Sequence, residues 1–86
     1  MGQTKKIFSI KDSKAEVYNT PFVQNSMGEA ERAFTTARHD EKTTINKYPE
    51  DFDLYFLGEF DDVEGKIIPL DSPQHLIKAA NIPARD

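Results

Sequence analysis

The side chains with the widest chemical repertoire in this sequence are two histidines, His39 and His75. A histidine pair can bind a metal or transfer protons, but these two lie far apart in the chain. His39 is expected near the C-terminal end of a helix, where a cation is favourable, and His75 in the first turn of a second helix. We therefore interpret both as ordinary polar residues rather than as a metal-binding or catalytic pair.

Carboxylates are the next candidates for chemistry, since a cluster of them can bind Mg²⁺ or Ca²⁺. They are concentrated in the second half of the chain: Glu50, Asp51, Asp53, Glu59, Asp61, Asp62 and Glu64. The later group lacks the alternating oxygen ligands, central glycine and final glutamate of a calcium loop, which favours a solvated hairpin loop. Phosphate-binding, dinucleotide-binding, serine-nucleophile and zinc-protease motifs are also absent from the sequence. We expect no enzymatic activity, no metal and no cofactor.

Basic and aromatic side chains together point to a different chemistry, the binding of nucleic acid. Unpaired bases stack on aromatic rings while cations neutralise the phosphates. Tyr18 is the best stacking candidate because it lies between Lys11, Lys14 and the basic face of the first predicted helix; a half-buried tyrosine at the edge of the core is the open alternative. The predicted DNA-binding residues are Lys5, Lys6, Lys11, Lys14, Tyr18, Arg32, Arg38, Lys42 and Lys47.

The overall charge argues against a simple phosphate-neutralising surface, because the net charge is −4. The charges are distributed unevenly, however. Residues 1–47 contain eight basic and six acidic residues, a net charge of +2, whereas residues 48–86 contain three basic and nine acidic residues, a net charge of −6. This asymmetry allows a local basic face on an acidic protein.

The length of 86 residues fits one domain with a thin hydrophobic core. We expect a single domain over 1–86, with residues 1–4 flexible and 81–86 forming a tail. There are no cysteines, which excludes disulfides and fits a reducing cytoplasm. No apolar stretch approaches the roughly 18 residues that span a bilayer, so we expect no membrane association. A thin core and an exposed edge strand also favour a homo-oligomer.

Hydrophobic periodicity and turn residues predict strands over 5–11, 54–60 and 66–70, a helix that begins after Ser26 and ends near His39, and a second helix between Ser72 and Ile82. Ser26 and Glu29 have the spacing of a capping box, and Gly65 is suited to close a hairpin loop. Residues 43–45 form a possible further short strand. The predicted fold class is α+β, a small single domain with an antiparallel sheet of about three strands and two helices packed on it.

Several segments, in this order and at this spacing, resemble the small non-structural protein of gokushoviruses, which are microviruses with single-stranded DNA genomes. The resemblance covers most of residues 7–80. It lies in Phe8–Tyr18 followed by Pro21-Phe22, in Tyr48–Tyr55, in Leu57–Asp62 running on to Gly65, and in Leu70-Asp71, Pro73, His75 and Leu76.

The resemblance implies a phage protein of the host bacterial cytoplasm, similar in role to the microvirus protein that switches replication. Such a protein helps to shift synthesis from duplex replication to single-stranded genomes and packaging, by binding DNA or the replication and packaging complex. We expect a preference for single-stranded DNA, because stacking needs unpaired bases. Viral or host replication and packaging proteins are the implied partners. A protein–protein adaptor without DNA contact and an acidic mimic of nucleic acid that inhibits a host factor are the rival hypotheses. A clustered basic face would favour DNA binding, and lysines scattered on all sides would favour the adaptor.

Overall fold

A computed structural model describes residues 4–84 of the chain. Five strands account for most of the regular structure: β1 (Thr4–Asp12), β2 (Val17–Tyr18), β3 (Phe22–Gln24), β4 (Phe52–Asp61) and β5 (Lys66–Lys78). Helix α1 spans Met27–His39 and the short helix α2 spans Thr44–Lys47. Two single 3₁₀ turns, Pro49–Asp51 and Ala79–Asn81, precede β4 and follow β5.

All strand pairs are antiparallel, and β1 and β4 form the centre of the sheet. β5 pairs with the outer side of β4, while β2 and β3 pair with the other side of β1 at its two ends. The sheet curls into a half-barrel. The predicted arrangement of about three strands carrying two helices is therefore wrong: the fold is mostly sheet, with one main helix.

Helix α1 forms as its local sequence predicts. The hydroxyl of Ser26 accepts a hydrogen bond from the amide of Glu29 at 3.2 Å, which confirms the predicted N-cap. Ala30 and Phe34, one turn apart, are buried against the sheet. The helix therefore contributes one apolar stripe to the core.

The β4–β5 hairpin also follows its turn chemistry. A carboxylate oxygen of Asp61 accepts hydrogen bonds from the amides of Val63 and Glu64, at 3.0 and 3.1 Å. Gly65 has a φ of 70°, which confirms the left-handed residue predicted at this position. The two strands that leave this loop are much longer than predicted, however.

The predicted second helix is wrong, because β5 occupies its place. Ser72 and Pro73 have the pattern of a helix start, yet they lie in a bulge of β5: Gly58 pairs with Pro69 and Phe56 with Gln74, which leaves residues 70–73 without partners on β4. A bulge tolerates proline because its missing N–H breaks no ladder bond. Pairing with β4 then overrides the weak local helix preference.

The possible strand at residues 43–45 is also wrong. Thr43 instead caps α2, accepting a hydrogen bond from the amide of Asn46 at 3.1 Å. Of the two terminal segments predicted to be flexible or tail-like, Thr4 is already part of β1 and Ile82 is buried in the core. Residues 1–3 and 85–86 lie outside the described residues.

The two faces of the sheet differ in what covers them. The main core contains Phe8, Leu54 and Phe56 from one face, packed against Ala30 and Phe34 of α1. The alternating residues of β1 and β4 point to the opposite side, and among the described residues this second face contributes nothing to the main core. We call it the open face and define it by Ile7, Ser9, Lys11, Asp53 and Tyr55.

Candidate functional site on the open face

A row of three rings crosses one end of the open face. The ring centres of Tyr18 and Tyr55 lie 5.4 Å apart at an interplanar angle of 77°, and those of Tyr55 and His75 lie 5.3 Å apart at 78°. Both contacts have the edge-to-face geometry that aromatic pairs favour. Tyr18 is 42% exposed, so one of its surfaces is available to a ligand. We call these three residues the aromatic row.

Strand register brings the row together. Tyr18 on β2 is the cross-strand partner of Lys11 on β1. Tyr55 on β4 is the partner of Ser9 on β1 and of His75 on β5. Ser9 is completely buried, and its hydroxyl donates a hydrogen bond to the carbonyl of Asn19 at 2.6 Å. A side chain this small leaves space for the two tyrosine rings to approach each other above it.

A cation accompanies the row. The Nζ atom of Lys11 lies 5.5 Å from the centre of the Tyr18 ring, within the range of a cation–π contact. The ammonium lies over the ring, so the part of Tyr18 that is exposed combines an aromatic surface with a positive charge. The sequence predicted both residues as DNA-binding, and the fold places them in contact.

Asp53 organises the other end of the row. This residue is only 7% exposed, and one carboxylate oxygen lies 2.7 Å from Nε2 of His75. The other oxygen accepts a hydrogen bond from Nζ of Lys78 at 3.1 Å, and Lys78 also donates to the carbonyl of Glu50 at 2.9 Å. The buried carboxylate is therefore paired, and it holds both neighbours in fixed positions.

The predicted basic residues do not form one surface. Lys5 and Lys11 lie on the open face at opposite ends of β1, and Lys5 is paired with Asp62 at 3.7 Å. Lys14 is exposed in the turn between β1 and β2. The ammonium of Lys6 lies on the side of the sheet that α1 covers, 5.8 Å from the centre of the Phe56 ring.

The remaining predicted cations lie on the helical side of the molecule, where Arg32, Lys42 and Lys47 are exposed along α1, the turn after it and α2. The fold thus scatters the basic residues of the first half, which is the arrangement expected of an adaptor. The cluster that does form on the open face is smaller and combines Lys11 with aromatic side chains.

The side chain of Arg38 is buried and supports the fold. It is 8% exposed, and its Nε donates to the carbonyls of Ala79 and Ile82, each at 3.2 Å. A further contact joins one of its terminal nitrogens to the carbonyl of Asn46 at 3.5 Å. Its guanidinium thus ties the end of α1 to the segment after β5, which removes Arg38 from the exposed candidates.

The two histidines are used separately. Nε2 of His39 lies 2.8 Å from the carbonyl oxygen of Pro83, whereas His75 belongs to the aromatic row. Within residues 4–84, no group of three or more histidine, aspartate or glutamate side chains is arranged to hold a metal ion. In the same part of the chain, no helix is both long and apolar enough to cross a membrane.

Sequence reasoning missed His75, Asp53 and Lys78 as site residues. His75 was assigned to a helix and Asp53 to a solvated acidic cluster, so their pairing could not be anticipated. Tyr55 carried a usable signal, because it alternates with the core residues Leu54 and Phe56 in the clearest strand pattern of the chain.

The far end of the open face is apolar. A shallow groove of about 240 Å³ is lined by Ile7, Pro21, Val23, Phe60 and Ile67. Phe60 was predicted on the core face. It lies here instead because Ile7 pairs with Gly58 and Phe8 with Phe56, so the extra residue between them reverses the alternation.

Comparisons with known proteins agree on one family. A family model described as "Phage ORF5 protein" matches residues 5–82. "Protein ORF5" of Chlamydia phage 1, a gokushovirus of the Microviridae, is 36% identical over 70 residues, which cover 76% of this chain and 72% of the relative. The resemblance predicted from sequence is confirmed at the level of the family, and the relative's name states no enzymatic activity. No solved structure matches the chain.

Proposed function

The chain belongs to the phage ORF5 protein family, and we propose that it is a non-enzymatic phage protein that binds single-stranded DNA through the open face. In this proposal it acts in the host bacterial cytoplasm and regulates the switch from duplex replication to single-stranded genome synthesis and packaging. Viral or host replication and packaging proteins are its further partners, and it works as a homo-oligomer.

The observation that carries the proposal is the contact between Lys11 and Tyr18 on an exposed part of the sheet. Stacking of one base on an aromatic ring contributes about 1–3 kcal/mol and tolerates any sequence, because every base has a π-face. In this proposal the ammonium of Lys11 neutralises a phosphate of the bound strand. Duplex bases are already stacked on each other, so this arrangement favours a single strand.

The charge of the protein limits how tight this binding is. A net charge of −4 provides no long-range attraction for DNA, and few cations surround the aromatic row. We therefore expect weak affinity that depends on stacking as much as on charge. Self-association would increase the affinity, since linked sites bind one strand together.

The direct test is fluorescence anisotropy of a labelled single-stranded oligonucleotide titrated with the protein at low and moderate salt, with a duplex of the same sequence as control. Saturable binding that favours the single strand is the expected result. Absence of binding at low salt, at protein concentrations above about 100 μM where even non-specific DNA binding is seen, would refute the proposal.

The apolar groove supports a second candidate function, that of an adaptor for a replication or capsid-assembly protein. Ile67 and Val23 remain 68% and 45% exposed at its rim, and a partner that inserts an apolar side chain would cover them. The variant Ile67→Asp distinguishes the two functions. It should leave DNA affinity unchanged if DNA binds the aromatic row, and it should abolish co-purification of a phage partner if the groove is the adaptor site.

A further inference from the structure

The hydrogen bond between His75 and Asp53 determines which nitrogen of His75 is free. A carboxylate can only accept hydrogen bonds, so Nε2, 2.7 Å from the Asp53 oxygen, must carry the proton. In a neutral imidazole, Nδ1 then has a lone pair and acts as an acceptor. Within residues 4–84, the His75 ring forms its hydrogen bond through Nε2 alone, and the side chain is 47% exposed.

We propose that His75 reads the edge of an unpaired base, accepting at Nδ1 a hydrogen bond from an exocyclic amino group. The inference rests on the proposed function and specifies its ligand class. Cytosine and adenine carry such an amino group, whereas thymine presents a carbonyl oxygen at the corresponding position. Two lone pairs facing each other repel, so the site discriminates cytosine from thymine, two bases of similar size.

The aromatic row places His75 where it can act on a bound strand. Tyr55 lies between Tyr18 and His75, with ring contacts on both sides. A strand that stacks on Tyr18 and follows the row therefore brings its next base to His75. Unpaired bases are recognised in this way elsewhere, by stacking on aromatic rings combined with hydrogen bonds to their edges.

Asp53 is the positioning residue in this arrangement. Its negative charge would otherwise repel phosphate, but it is buried and balanced by the ammonium of Lys78 at 3.1 Å. Because both of its oxygens are engaged, the His75 ring can neither flip nor exchange its proton between nitrogens without losing a hydrogen bond. The acceptor at Nδ1 is thus fixed before DNA arrives.

The test compares oligo-deoxycytidine with oligo-thymidine, each about 12 nucleotides long to match the footprint of a small single-strand-binding domain. Binding is measured by anisotropy at mildly alkaline pH. We expect the wild-type protein to bind the cytosine oligonucleotide about 5-fold more tightly, the contribution of one hydrogen bond. His75→Phe keeps a ring against Tyr55 but has no acceptor, so it should bind both oligonucleotides equally.

A second measurement does not depend on a substituted protein. Nitrogen-15 NMR of the wild-type protein reports which nitrogen of each histidine is protonated. We expect the proton of His75 on Nε2, and a shift of its Nδ1 resonance when the cytosine oligonucleotide is added but not with thymidine. His39, held by Pro83, is the internal control and should respond to neither.

The results distinguish a failure of base reading by His75 from a failure of single-strand binding itself. Equal affinity of the wild-type protein for the two oligonucleotides, a preference for thymidine, or a preference that survives in His75→Phe would overturn the base-reading role while single-strand binding stands. A proton on Nδ1 of His75 would also overturn it. Failure to bind either oligonucleotide would instead remove the proposed function and the inference with it.

Discussion

Lys11 and Tyr18 are direct cross-strand partners at the edge of the sheet, and the ammonium of the first lies 5.5 Å from the ring centre of the second. The contact joins a cation to a ring that remains 42% exposed. It arises because β2, only two residues long, pairs with the end of β1 and turns Tyr18 onto the open face. This pair is the part of the predicted DNA-binding set that the fold assembles.

Replacing Tyr18 tests whether the ring is a stacking surface. Tyr18→Ala should weaken binding of single-stranded DNA by about 5- to 100-fold, because one base loses its aromatic partner. Tyr18→Phe should bind like the wild type. Tyr48→Ala is the matched control, since Tyr48 is 58% exposed but lies outside the aromatic row. Anisotropy titrations measure the affinity of the three variants for single-stranded DNA. Equal losses of affinity for Tyr18→Ala and Tyr48→Ala would contradict a specific role for the aromatic row.

The salt dependence of binding counts the phosphates that are contacted. Each phosphate neutralised on a single strand contributes about −0.7 to the slope of log K against log salt concentration. Binding through the open face, with Lys11 and Lys14 contacting phosphate and Lys78 held by Asp53, should give a slope of about −1.4. If all eight cations predicted from the sequence bound DNA, the slope would be about −5 to −6. Lys11→Ala should make the wild-type slope shallower, whereas Lys47→Ala should leave it unchanged.

Arg38 should matter for stability rather than for DNA. Arg38→Ala removes the Arg38 donor from the carbonyl of Ile82 and leaves the carbonyl of Ala79 with only the amide of Ile82, at 3.0 Å. The loss of this buried guanidinium should lower the free energy of unfolding by about 2–3 kcal/mol. Arg32→Ala removes an exposed arginine from the same helix and should change it by less than about 0.5 kcal/mol. Urea denaturation measures both. A stable Arg38→Ala protein with impaired DNA binding would show that the guanidinium has a role outside the fold.

Gly58 is required by the close approach of two strands. A Cβ atom there would collide with the carbonyl oxygen of Ile68 and lie 2.8 Å from Cα of Pro69. Gly58→Ala should therefore destabilise the protein by about 2–3 kcal/mol, as overpacked sites do. Gly28→Ala, whose Cβ would have only the Ser26 hydroxyl within 4.0 Å, should stabilise α1 by up to about 1 kcal/mol. Thermal unfolding of the two variants should shift in opposite directions, and similar melting temperatures would contradict the crowding at Gly58.

Local signals predicted the parts of the fold that depend on neighbouring residues. The Ser26 cap and the Gly65 turn each involve contacts within a few positions, and both are present. The Ser72–Pro73 pattern is equally local, yet it predicted a helix where β5 lies. The difference is that β5 pairs with β4 on both sides of its bulge, and this long-range pairing outweighs a weak propensity.

The sequence by itself determined the family, the first helix, the loop of the β4–β5 hairpin, and Lys11 and Tyr18 as candidate DNA-binding residues, because these depend on residue types and short spacings. Only the tertiary structure decided that Arg38 is buried, that the other basic residues are scattered, and that Asp53, Tyr55 and His75 meet on the open face. The physical reason is strand register: a bulge of one residue changes which face a side chain occupies, and cross-strand partners lie many positions apart in the chain.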